Sequence, residues 1–68
     1  MVKLNSSCLS MSQYSKKDQI LTLTFKNSNQ SYIYQKVTLS TYYKLLRSGS
    51  KGKFFRQNIL NKYNFQKI

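Results

Sequence analysis

The sequence predicts an α+β domain: a three-stranded antiparallel meander followed by two short helices packed on one face of the sheet. Two patterns carry that expectation. Apolar residues recur with period two as far as Val37 and with helical spacing beyond it. All the strand-like segments precede all the helix-like ones, with no internal repeat and no low-complexity tract, which is the segment order of an α+β fold. Composition adds a third point. With 40% hydrophobic and 15% aromatic residues the chain can build a core despite a formal net charge of +11. Its 68 residues make one domain, 1–68, and a chain of about that length buries only roughly 60% of its unfolded surface.

The first strand covers residues 8–14. Leu9 and Met11 share one face of it and the other face is polar, so it belongs at a sheet edge. Residues 15–18 form a polar turn. From Ile20, the residues Leu21, Leu23 and Phe25 alternate with Thr22, Thr24 and Lys26, the signature of a half-buried strand. Asn27, Ser28 and Asn29 are turn formers. Tyr32, Ile33, Tyr34 and Val37 then make the third strand, with both tyrosines on one face. The hairpin spans about residues 19–36.

After Val37 the period changes. Leu39, Tyr42, Tyr43 and Leu46 fall at i, i+3, i+4 and i+7, the apolar stripe of an amphipathic helix. Thr38 suits the N-cap and Gly49 a stop beyond Arg47 and Ser48. A second helix over about residues 52–61 follows from Phe55, Ile59 and Tyr63 at i, i+4 and i+8, with Phe54 alongside. Phe54 and Phe55 cannot both sit on one buried stripe, so one of them faces a ligand or a subunit interface.

Composition excludes whole classes of chemistry. Twelve Lys and Arg stand against one acid, Asp18, and there is no His. General acid–base catalysis draws on His or on two carboxylates in contrasting environments, and neither is present. One Cys and one Asp cannot make a zinc, calcium or two-metal site. The chain is therefore expected to be no enzyme, with no metal and no cofactor. Cys8 alone cannot form an intrachain disulfide; it reads as a small buried hydrophobe and fits a reducing cytoplasm. No apolar run approaches the roughly 18 residues of a membrane span, and no signal-peptide core follows Met1. Absence of Ala, Pro, Glu, Trp and His resembles the codon usage of an AT-rich genome. Codon supply inflates Lys, but it does not explain the scarcity of acids, whose codons tolerate AT richness.

The basic residues concentrate in the second half. Lys44 and Arg47 lie three apart on the exposed side of the first helix. Lys51 and Lys53 flank Gly52 where the second helix begins, Ser50 precedes them, and Arg56 sits one turn along. A helix start presents N–H groups and a positive dipole end to an anion. Ser50, Lys51, Gly52, Lys53 and Arg56, with Lys44 and Arg47, are thus candidate phosphate-binding residues. The plain structural alternative uses the same residue types: Ser50 as an N-cap, Gly52 as relief of backbone crowding, and the lysines as a solvated face. Tyr32, Tyr34 and Phe54 are candidate stacking residues for bases, with core packing as the competing role for the two tyrosines.

These residues, in this order and spacing, resemble the KTSC domain, a short module found at the C-terminus of some lysyl-tRNA synthetases and as free-standing bacterial and viral proteins. The similarity runs from about Ser6 to Tyr63. It includes Ser6-Ser7, Leu21-x-Leu23-x-Phe25, Tyr32-Ile33-Tyr34, Val37, the Tyr42/Tyr43 and Leu45/Leu46 positions, Ser50-Lys51-Gly52-Lys53-Phe54-Phe55, Ile59 and Tyr63. The chain departs from the family at three turn or cap positions. Ser15 stands where Asp is usual, Asn29 and Gln30 where Gly is usual in the hairpin, and Thr38 where Pro commonly starts the helix. The resemblance implies the fold described above, and RNA binding is the activity usually suggested for the family.

The resulting expectation is a small, basic, non-catalytic module that binds nucleic acid, RNA foremost, through phosphates. Its partner is a polyanion: RNA, DNA or a nucleotide. The alternative is a stand-alone phage or bacterial protein that sequesters a nucleotide signal or inhibits a host factor, acting as a homo-oligomer. Either would operate in the cytoplasm, that of the host if phage-encoded, without a membrane partner.

Overall fold

A computed structural model describes residues 2–4 and 8–68 as five antiparallel strands and two helices. The elements are β1 (Val2–Lys3), β2 (Leu9–Ser15), β3 (Ile20–Phe25), β4 (Ser31–Tyr34), α1 (Leu39–Arg47), α2 (Lys51–Asn58) and β5 (Phe65–Lys67). The Ser6-Ser7 pair lies outside the described residues. The sheet order is β1-β2-β3-β4-β5, so the expected meander, β2 to β4, forms its centre. Two strands were not expected. β1 pairs with β2 through Val2↔Ser12 and Lys3↔Met11, which takes β2 off the edge, and β5 pairs with β4. Two- and three-residue strands are too short to show an alternating pattern, so the sequence gives no period-two signal for them.

Pairing fixes which residues share a face. Ser12 and Tyr14 lie opposite Leu23 and Leu21, which lie in turn opposite Tyr32 and Tyr34. β5 extends this inner face with Phe65 opposite Tyr34 and Lys67 opposite Tyr32. The outer face carries Met11, Gln13, Thr22, Thr24, Ile33 and Gln66, with Lys3 of β1 opposite Met11 as its one charged position among these paired residues. Leu9 and Met11 do not share a face as the alternation predicts. Leu9 pairs with Phe25 but Met11 with Thr24, so Ser10 is an extra residue and the strand bulges there. The bulge reverses the alternation: Leu9 is buried, Met11 exposed.

Val37 also leaves its predicted strand. Lys36 has a φ of 59°, which ends the extended run, and Val37 is buried in the linker with its N–H donating to the Gln19 carbonyl. Asn29, at a position where the family usually has Gly, has a φ of 54°; Asn is among the residues that tolerate this left-handed conformation best.

Thr38 caps α1 as predicted, its Oγ1 accepting from the Thr41 N–H. The stop is Ser48 rather than Gly49: both the N–H and the hydroxyl of Ser48 donate to the Leu45 carbonyl. The buried stripe of α1 is rotated from the predicted one, with Tyr42 and Leu45 buried and Tyr43 50% exposed. Tyr42 is drawn inward by a polar contact, its hydroxyl 3.1 Å from Ser12 Oγ, and by stacking on Tyr14 at 4.9 Å. α2 starts at Lys51 and ends at Asn58, short of residue 61. The N–H groups of Ile59 and Leu60 both donate to the Phe55 carbonyl, and Asn61, with a φ of 62°, turns the chain away. The core lies between the helices and the inner face, around Leu9, Leu21, Leu23, Leu45, Phe55 and Ile59. Among the described residues no helix is long and apolar enough to cross a membrane.

Candidate nucleic-acid interface

The residues expected to hold phosphate divide into two groups. Ser50, Lys51 and Gly52 each have a structural duty. Ser50 caps α2, its Oγ accepting from the Lys53 N–H. The Lys51 ammonium donates to the Ser48 carbonyl at 3.1 Å, where α1 ends and its dipole is negative. Gly52 faces Cys8: a Cβ at this position would stand 3.2 Å from the Cys8 Cβ. Contrary to the sequence expectation, Cys8 is exposed: it lies just before β2, outside the paired strand, and borders an open cleft.

Lys44, Arg47, Lys53 and Arg56 form the second group, and all four are exposed. Lys44 and Arg47 occupy the last turn of α1, where cations complement the dipole. The first turn of α2 is the opposite case. It carries Lys51 and Lys53 and no acid, so positive charge is placed at the positive end of a helix, an arrangement that an incoming anion would relieve. More broadly, every Lys and Arg whose side chain is described is exposed, apart from the half-buried Lys51, and the single acid, Asp18, bonds locally to Ser15.

The inner face opens into a cleft of about 430 Å³. Its walls are mainly rings: Phe25 from β3, Tyr32 and Tyr34 from β4, Phe55 from α2 and Phe65 from β5, closed by Leu60 after α2. The rings brace one another. Phe25 meets Tyr32 and Phe55 edge-on at 5.6 and 5.3 Å, and Phe65 lies 5.9 Å from Tyr32 and 5.8 Å from Tyr34. Cys8, Asn27 and Ser28 complete the lining. Because Cys8 also touches the Gly52 position, the start of α2 adjoins the cleft.

Of the three candidate stacking residues, Tyr32 and Tyr34 line this cleft and Phe54 does not; Phe54 is half-buried against the core. Tyr34 is 2% exposed, and burial, reinforced by neighbouring Tyr32, pushes its phenol up to about 12. It stays neutral throughout the physiological range. Tyr14 is likewise raised by burial, and its hydroxyl donates to the Val37 carbonyl, tying β2 to the linker before α1. Sequence reasoning missed Phe65 and Leu60 as site residues. Their one signal is that two large apolar side chains follow or lie outside the periodic helix.

Residues 5–63 match the KTSC domain family. The crystal structure of a KTSC domain protein from Yersinia pestis is similar to this chain with a TM-score of 0.92 at 26% sequence identity, over 97% of this chain and 92% of that one. No curated protein matches the sequence.

Proposed function

The chain belongs to the KTSC domain family, and we propose that it is a small, non-catalytic module that binds nucleic acid, RNA foremost, through phosphate contacts. The observation that carries this reading is the exposed cation set around α2, whose first turn holds two lysines and no acid. Self-repulsion of +11 charges on 68 residues destabilises the compact state. A polyanion offsets that cost and releases condensed counterions on binding. Lys44, Arg47, Lys53 and Arg56 are the phosphate ligands in this account; Ser50 and Gly52 shape the turn that presents them.

Such binding is steeply salt-dependent. About four neutralised phosphates give a log–log slope near −2.8 on a single strand. Replacing Lys44, Arg47, Lys53 and Arg56 by Ala should weaken the slope by up to about 3, at about 0.7 per contact. An affinity for single-stranded RNA that does not change between low and high salt would overturn the reading. A thermal shift with mononucleotides and none with oligonucleotides would replace it with sequestration of a small nucleotide.

A further inference from the structure

We infer that the aromatic cleft takes the base of an unpaired nucleotide, so that the module recognises single-stranded rather than duplex nucleic acid. This rests on the phosphate-binding reading above and adds a base site to it. Three features of the cleft point the same way.

The first is shape and lining. A volume of about 430 Å³ falls within the roughly 300–1,000 Å³ of small-ligand sites. Phe65 is 48% exposed and Leu60 37% exposed, so apolar surface stands open at the mouth. A planar base can slide against Phe65 and Tyr32, and every base has a face on which a ring can stack.

The second is polarity at one end. Asn27 and Ser28, in the turn between β3 and β4, line the cleft without closing it. Ser28 Oγ accepts from the Gln30 N–H, which leaves its own proton to donate. The Asn27 amide offers both a donor and an acceptor to a base edge.

The third is charge, and it decides the occupant. Lys26 precedes Asn27, and Lys67 lies opposite Tyr32 on the face that forms the cleft; both are exposed. The start of α2 approaches it where Gly52 stands beside Cys8, a lining residue. A second copy of this chain docking here through a two-fold contact would bring two lysine-bearing rims together, with like-charge repulsion between them. A nucleotide brings the apolar ring and the anion together. Bases inside an A-form duplex are stacked on one another, and only a splayed-out base presents its face.

The test uses the intact chain with three labelled probes: a single-stranded oligoadenylate, an abasic sugar–phosphate oligomer of equal charge, and an RNA duplex. Wild type should bind oligoadenylate about 5- to 100-fold more tightly than the abasic oligomer, the range of one or so stacked bases. Phe65→Ala should erase that difference and leave the salt slope as it was. Phe65→Trp should keep tight binding, and its indole, the sole one in a chain without Trp, should be quenched by oligoadenylate and by adenosine monophosphate alone.

Equal binding of the abasic and adenylate oligomers, or no effect of Phe65→Ala on either, overturns the base site while the phosphate reading stands. Failure of every oligomer to bind at low salt overturns the phosphate reading. The base site is then decided separately by adenosine monophosphate quenching of Phe65→Trp, and the absence of quenching overturns it too. A concentration-dependent dimer that Phe65→Ala dissociates, without base binding, would assign the cleft to a second copy and also overturn the inference.

Discussion

The inner face of the sheet has two halves that are built differently. Where α1 packs on the sheet, Ser12, Tyr14, Val37 and the α1 residues Tyr42 and Leu45 form a sealed unit: Leu45 and Val37 are fully buried, and the polar atoms of Ser12, Tyr14 and Tyr42 bond to partners inside the fold. At the β4–β5 half, rings of comparable size meet edge-on or tilted and leave a cleft between them, with Phe65 half-exposed. One half spends its apolar surface on stability; the other holds part of it available to a ligand. A small domain with a marginal core can keep rings open in this way only if the sealed half carries the fold.

That contrast is tested first by truncation. Leu45→Ala removes a fully buried side chain and should cost about 2–5 kcal/mol, against a total stability of roughly 3–10 kcal/mol for a chain of this length. Phe65→Ala, in the open half, should cost about 1 kcal/mol, since much of its ring is already in water. Urea denaturation of the two variants measures both numbers, and equal losses would erase the distinction.

A smaller effect sharpens the sealed half. Tyr42→Phe deletes the hydroxyl that meets Ser12 and keeps the ring stacked on Tyr14, so it should cost about 1 kcal/mol. Its nucleic-acid affinity should match wild type. Thermal denaturation together with an oligonucleotide titration checks the pair of outcomes.

The gentlest probe is pH. Below about pH 10 the Tyr34 phenol is protonated in both the folded and the unfolded chain. Between 10 and about 12 the unfolded chain has lost this proton and the folded one retains it, so stability falls as pH rises through that window. The expected observable is therefore a difference: Tyr34→Phe should decline less steeply than wild type in denaturation curves taken from pH 9 to 12.

The two halves were also unequally legible in the sequence. Alternation in Leu21-Thr22-Leu23-Thr24-Phe25 and the caps Thr38 and Ser50 are local signals, and the structure bears out the β3–β4 hairpin, both helices and both caps. The bulge at Ser10 was not legible, because register is settled by the partner strand and not by the strand itself. Nor was the orientation of Tyr42, which depends on Ser12 thirty residues away. The cleft brings the β3–β4 hairpin together with α2 and β5, which are separated from it in sequence by α1, and its outer ring, Phe65, stands on a three-residue strand without a pattern of its own. In the S-x-G turn the sequence identified residues whose chemistry serves two purposes. The geometry supplies Ser50 and Gly52 with structural partners.

Amide chemical-shift mapping with a single-stranded oligoadenylate tests the account most directly, because it reads every region at once. Shifts should gather at Lys44, Arg47, Lys53, Arg56, Asn27, Ser28, Tyr32 and Phe65, with Ser12, Tyr14 and Leu21 unmoved. Shifts centred on the outer face, at Gln13, Thr22, Thr24 and Ile33, or no shifts at low salt, would contradict the account.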